Sequence, residues 1–255
     1  MNKIFWTISD IFVMTKRNLM QYTRLPQLLI FSTIQPVMFL LLFAFVFGGA
    51  ISTPGASYIN YLIPGIIVQT VIFGSMQTGV GLAADLSKGM IDRFRSLPMA
   101  RSAVLAGRTI SDMARNVFVV CLMTGVGYLI GFRFQGSILE SLAAMALSVL
   151  FGFAFSWISA TIGLLVKEIE TAQVAGFVWV FPLVFASSIF VPVPSMPSWL
   201  QAFAKHSPIT VTVDAVRALS LDLPLGSNLW QSLLWMVGIL LVFVPLAVHR
   251  YRKSV

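Results

Sequence analysis

Charge is scarce in this sequence. Only 10% of its 255 side chains are charged and 58% are hydrophobic, with a mean hydropathy of +0.89, whereas soluble domains are about one quarter charged. An ordinary soluble domain is therefore excluded, and a membrane protein is predicted. About six spans of ~20 residues would use roughly half of the chain, so a large energy-converting or catalytic domain has to sit on another chain. Cysteine is nearly absent. The single Cys121 stands in an apolar run, which excludes an intramolecular disulfide and reads as a small buried apolar side chain. Acidic residues are outnumbered, 9 Asp+Glu against 17 Lys+Arg for a net charge of +8. Because the basic residues border apolar runs, they point to a membrane surface and not to nucleic acid.

Catalytic signatures are missing as well. The sequence holds no Gly-x-x-x-x-Gly-Lys-Ser/Thr loop, no Gly-x-Ser-x-Gly elbow and no His-Glu-x-x-His helix, so no nucleotide-hydrolysing loop, serine nucleophile or zinc protease is expected. His206 and His249 stand alone near membrane boundaries, and no metal site is predicted. Gly79-Val80-Gly81-Leu82-Ala83-Ala84 lies inside an apolar span with no strand before it, so it reads as small-residue helix packing, as does the pair Gly127 and Gly131.

The apolar runs themselves predict an all-α fold with six spans, at residues 28–48, 60–84, 110–131, 141–166, 171–191 and 229–248. Residues 1–24 do not read as a cleavable signal peptide, because Asp10, Lys16, Arg17 and Arg24 interrupt them. Ile4, Ile8, Ile11, Phe12, Leu19 and Tyr22 recur near helical spacing there, which predicts an amphipathic helix lying in the headgroups. Lys and Arg concentrate on one side of these spans, so both termini are expected in the cytoplasm, with only Arg133, Lys205 and Arg217 outside. Residues 192–228 form the longest outer connection. Its Pro-rich sequence, the turn around Trp199, Leu200 and Phe203, and the Asp214–Arg217 spacing fit either two short helices dipping into the outer leaflet or a surface loop.

Ionisable residues fall at or near the predicted boundaries, the deepest being Asp85, Asp112 and Arg115, with Asp112 and Arg115 spaced to pair on a helix. Ion-coupled transporters keep such residues within their spans. Uphill movement of a solute would therefore draw its energy from a partner. Between spans two and three, Leu86, Met90, Ile91, Phe94 and Leu97 share one helical side, Lys88, Asp92, Arg93, Arg95 and Arg101 supply polar contacts, and Pro98 ends the segment. Residues 86–101 thus form either a docking helix for that partner or a juxtamembrane helix on anionic lipid.

Three segments together resemble the ABC-2 type membrane subunits of ATP-binding-cassette exporters, especially the daunorubicin-resistance type. They are Tyr61-Leu62-Ile63-Pro64-Gly65-Ile66; Arg93-Phe94-Arg95-Ser96-Leu97-Pro98-Met99-Ala100-Arg101 with Gly107-Arg108; and Ser195-Met196-Pro197-Ser198-Trp199-Leu200 running on to His206-Ser207-Pro208 and Val213-Asp214-Ala215-Val216-Arg217-Ala218-Leu219. In this chain Ser87-Lys88-Gly89 stands where a common family pattern has an acidic residue before the glycine. The resemblance covers nearly the whole chain and implies one transmembrane domain over residues 1–255. It implies a non-catalytic permease in a bacterial cytoplasmic membrane, paired with a second copy or a paralogue and with two cytosolic ATPase subunits that carry ATP and Mg. Lys88, Gly89, Met90, Ile91, Asp92, Arg93, Phe94 and Arg95 would form the coupling helix, and residues 192–221 the outer re-entrant helices. The substrate path would run along spans one, two and five, which offer Gln35, Phe39, Phe43, Gln69, Phe73, Met76, Gln77, Phe177, Trp179 and Phe181. That lining suits a lipophilic or amphiphilic compound such as a drug or antibiotic. A lipid or a lipid-linked saccharide is the alternative cargo. An ion-coupled secondary transporter or a membrane scaffold is the alternative class.

Overall fold

Backbone that meets lipid must satisfy its N–H and C=O groups within its own segment, and a computed structural model shows how this chain does so. It describes residues 3–24, 26–48, 57–90, 101–166 and 168–253, and among them the regular structure is entirely helical. The helices are α1 (Lys3–Arg24), α2 (Pro26–Leu42, continuing as a π-helical turn over Phe43–Phe47), α3 (Tyr58–Ser87), α4 (Arg101–Leu129), α5 (Ile138–Val166), α6 (Ile169–Phe185), α7 (Ser198–His206), α8 (Pro208–Leu221) and α9 (Asn228–Lys253). By length and composition four segments can cross a membrane: Tyr58–Ser87, Ala103–Leu129, Ile138–Val166 and Asn228–Lys253. Thr33–Phe47 and Ile169–Phe185 are shorter apolar helices.

Helix α3 is the centre. It packs on α4, α5, α6 and α8 and buries 78% of its apolar window, against 22% for α9. The approach of α3 to α5 requires two glycines, since a Cβ on Gly163 would collide with the carbonyl oxygen of Gly79. Gly127 likewise lies tight against Ile63 of α3. Gly131 packs on nothing: it has φ +106 just past the end of α4, where the Phe132 N–H bonds back to the Gly127 carbonyl. The pair is thus one packing glycine and one helix terminator.

Several local boundaries differ from the hydropathy pattern for identifiable reasons. Helix α5 starts at Ile138 because Ser137 and Glu140 form a reciprocal cap, the Ser137 N–H donating to Glu140 Oε2 at 2.7 Å and the Glu140 N–H donating to Ser137 Oγ at 3.3 Å. Helix α6 ends at Phe185 although the apolar run continues to Val191, because the following chain is tied sideways. There the Ser188 N–H donates to Thr210 Oγ1 and its carbonyl accepts from Tyr61 and Arg217. Cys121 is exposed on α4, not buried. In α1 the apolar stripe is divided, with Tyr22 turned to α4. Ile8 and Phe12 are exposed, while Met14 and Asn18 are buried and the α1 backbone lies against Gly107 of α4, where a Cβ would strike Met14.

Candidate functional site

The two ends of α3 each carry a polar knot. At its start, Arg217 of α8 is buried and donates to Asp214 Oδ1 at 2.6 Å, to the Tyr61 carbonyl at 3.1 Å and to the Ser188 carbonyl at 3.0 Å. Its guanidinium lies 3.6 Å from the Tyr61 ring centroid, and the Tyr61 hydroxyl donates to the Ser188 carbonyl. The expected Asp214–Arg217 pair is formed, and residues 198–221 are two helices, with α8 buried and Trp199 of α7 exposed.

At the other end, Gly74, Gln77, Thr78, Gly81 and Asp85 recur on one face of α3 and receive the polar side chains of α4 and α1. Asp112 of α4, almost fully buried, accepts from the Tyr22 hydroxyl at 2.8 Å, from Thr78 Oγ1 at 2.6 Å and from Arg108 Nε at 3.3 Å. Burial, with the Asp112 carboxylate beside it, pushes the Tyr22 phenol up to about 12, so it acts as a donor at neutral pH. Asp85 pairs with Arg17 of α1 at 3.4 Å. The spacing of Asp112 and Arg115 predicts a pair, but the carboxylate is taken by Arg108 one turn earlier. Arg115 instead donates to the Gly74 carbonyl at 2.5 Å and to Asn116 Oδ1 at 3.3 Å. The boundary charges are therefore not peripheral: Asp112, Arg115 and Arg217 are all buried inside the bundle.

Between α2, α3, α4 and α6 lies a cleft with about 850 Å³ of space, partly open to its surroundings. Gln35, Phe39, Gln69, Phe73, Met76, Gln77 and Phe177 line it, with Phe73 and Phe177 6.0 Å apart across the α3–α6 side. Three expected residues lie elsewhere. Phe43 stacks on Phe190 at 4.3 Å, Trp179 turns to α5 and stacks on Phe155 at 5.7 Å, and Phe181 stands exposed beside Phe185. The hydropathy pattern missed Arg115, Asn116 and Gln173, which also line the cleft. Helical phase could have found them, since Arg115 and Asn116 face the Gly74 turn of α3. Of the expected coupling segment, Lys88 caps α3 through its N–H to the Ala84 carbonyl, and Gly89, whose N–H donates to the Leu86 carbonyl, leaves the helix with φ +65, a turn that favours glycine. Met90 follows, while Ile91, Asp92, Arg93, Phe94 and Arg95 lie outside the described residues.

The family model for ABC-2 type transporters matches residues 9–221. This chain belongs to the ABC-2 type transporter family. It is 35% identical over 238 residues to the daunorubicin resistance ABC transporter permease protein DrrB1 of Streptomyces coeruleorubidus, covering 93% of this chain and 84% of that relative. It is 26% identical over 249 residues to the "Probable doxorubicin resistance ABC transporter permease protein DrrC" of Mycobacterium tuberculosis, covering 97% of this chain and 90% of the relative. The chain is accordingly a multi-pass membrane permease subunit of an ABC exporter, itself non-catalytic, and the ATPase is a separate subunit.

Proposed function

We propose that this ABC-2 permease exports lipophilic or amphiphilic compounds, drug- or antibiotic-like in kind, from a bacterial cytoplasm through the cleft between α2, α3, α4 and α6. The single observation carrying this reading is the cleft lining, where Phe39, Phe73, Met76 and Phe177 offer apolar area and Gln35, Gln69, Gln77, Asn116 and Gln173 offer amides. Such a wall buries a lipophilic body while imposing few fixed polar demands. The drug-resistance relatives point the same way. In this reading the chain crosses six times, α2 with its π-helical turn and α6 being the two short crossings, and both termini are cytoplasmic. The α7–α8 hairpin re-enters from the outside. Two permeases, identical or paralogous, work with two ATPase subunits that bind ATP and Mg. Lys88–Arg95 seats in a groove of each ATPase, and α1 braces it. ATP binding and hydrolysis rock the membrane halves, and the cleft alternates between inner and outer leaflet access.

The test is ATP hydrolysis by the co-purified permease–ATPase complex in nanodiscs, with and without a panel of lipophilic drugs. Stimulation by one drug class, lost in Arg93→Ala and Phe94→Ala, is the expected result. Absence of any associating ATPase, or transport driven by an ion gradient alone, overturns the reading.

A further inference from the structure

We propose that the rings of Phe43 and Phe190 are the outer closure of the cleft, and that they must part for cargo to leave. The inference rests on the cleft being the export path and names the residues that shut it. The cleft takes its α3 wall from Gln69 to Val80, whereas Phe190 lies at the start of that helix, where its carbonyl accepts from the Tyr58 hydroxyl at 3.3 Å. From Tyr58 to Gln69 the helix rises about 16 Å, the outer half of a bilayer core in the proposed orientation. Aromatic rings bridge that distance. Phe39 lines the cleft and lies 6.1 Å from Phe43, which lies 4.3 Å from Phe190 and 5.1 Å from Phe47. Phe190 lies 5.1 Å from Phe185 of α6, so the column joins α2 to the end of α6 across the start of α3.

A constriction of apolar rings gates by losing its water, which stops ions and small polar solutes, while the same rings offer stacking area to an apolar cargo. One half of this closure is fixed. Phe190 is buried with its carbonyl tied to Tyr58, and the preceding Ile189 lies so close to α3 that a Cβ on Gly65 would strike its carbonyl. The other half stands on backbone that can give. Phe43 opens the π-helical turn Phe43–Phe47, and such turns within α-helices are frequent at functional sites. Pro36, earlier in α2, removes a further backbone hydrogen bond. The α2 helix is thus interrupted on both sides of Phe39, and a rotation of its outer end would lift Phe43 from Phe190 and join the cleft to the outside.

The experiment uses the complete permease–ATPase complex carrying Cys121→Ala, which removes the single cysteine, and Gln77→Cys, which puts a thiol in the cleft wall. Its reaction with methanethiosulfonate ethyltrimethylammonium, a cation that does not cross lipid, is followed from the outside of right-side-out spheroplasts. Adding Phe43→Ala should speed that labelling by at least about ten-fold. An unchanged rate overturns the proposal. So does an equal acceleration at a control thiol, Ala154→Cys, buried on α5, because the bundle as a whole would then have loosened. A second measurement decides the matter even if Phe43→Ala does not fold. Phe43→Cys and Phe190→Cys, in the Cys121→Ala chain, are bridged in nanodiscs by the short bifunctional reagent methanediyl bis-methanethiosulfonate. Bridging should abolish drug-stimulated ATP hydrolysis, and dithiothreitol should restore it. Failure of the two thiols to bridge, or undiminished stimulation once they are bridged, overturns the closure. If no drug stimulates hydrolysis in any complex, the export reading fails, whereas the labelling still decides whether the rings seal the cleft, so the two failures are distinguishable.

Discussion

The two polar knots at the ends of α3, outer at Arg217 and inner at Asp112 in the proposed orientation, are built from the same residue types but closed to different degrees. In the outer knot, Arg217 spends its guanidinium within the chain, on Asp214, on two carbonyls and on the face of Tyr61. In the inner knot Asp112 is equally well satisfied, but the neighbouring Arg115 keeps an unpartnered Nε beside an open cleft. A closed knot fixes geometry. The outer end thus reads as a clamp holding α8 and the Ser188 turn against α3, and the inner end as a clamp that borders the cleft.

The comparison breaks most readily at Arg217. Replacing it with Leu removes one donor from each of the Tyr61 and Ser188 carbonyls, leaving Ser188 the Tyr61 hydroxyl, and takes the cation from Asp214. The Asp214 side chain is 34% exposed, so the ion pair alone is worth less than a fully buried one, but with the two carbonyl hydrogen bonds and the ring contact the loss is about 4 kcal/mol, and Arg217→Leu should fail to accumulate as folded protein. Thermal unfolding in detergent measures this, and a loss below about 1 kcal/mol would show that the outer knot is not a clamp. Asp112→Asn should cost somewhat less, about 3 kcal/mol, because Asn keeps one acceptor oxygen and can donate its NH2 to the other hydroxyl, while Arg108 loses its counter-charge. Adding Arg108→Gln to Asp112→Asn should recover part of that loss, since Arg108 is then no longer a buried cation without its carboxylate. If the double variant is no better than the single one, the inner knot is held by something other than the charge pair.

Much of this architecture is legible in the sequence because the governing forces are local or compositional. Scarce charge and long apolar runs point to a helical membrane protein, and the Asp214–Arg217 spacing anticipates a pair that forms. What escapes is partner choice in three dimensions. Asp112 has cations three residues ahead and four behind, and spacing alone cannot say that Arg108 takes it while Arg115 turns to a carbonyl exposed by Gly74. Likewise Trp179 and Phe177 are two residues apart on one apolar helix, yet one faces α5 and the other the cleft. The α6 terminus was hidden because it is set by bonds from α3 and α8, remote in sequence. The start of α5 was written locally, in the Ser137–Glu140 capping pair, but hydropathy does not register caps.

Where α3 meets α5 at Gly79 and Gly163 the fit is one of shape, which gives a smaller effect of another kind. Gly163→Ala would drive a methyl group into the Gly79 carbonyl and force α3 and α5 apart. Overpacking of this sort costs about 2 kcal/mol, and the displacement should loosen both knots at once, because both are tied to α3. Unfolding of Gly163→Ala combined with Arg217→Lys should therefore depart from additivity. Strict additivity would mean that each knot holds its neighbours regardless of how α3 sits on α5.

The gentlest probe is Tyr22, which reports on the inner knot without moving a charge at neutral pH. Tyr22→Phe deletes one of three donors to Asp112, and a lost hydrogen bond to a charged group costs about 1.5 kcal/mol. Its titration sharpens the point. Burial raises the phenol from its ordinary 10.0 to about 12 in the folded chain, so the fold favours the neutral form. The associated stability is complete below pH 10, declines above it and is lost as the pH passes about 12. The difference in phenolate absorbance between wild type and Tyr22→Phe should accordingly show one tyrosine titrating near 12, and Tyr22→Phe should be less sensitive to alkali between those two values. A Tyr22 that titrates near 10 would be open to water, and α1 would then be resting on the bundle without its hydroxyl closing the knot around Asp112.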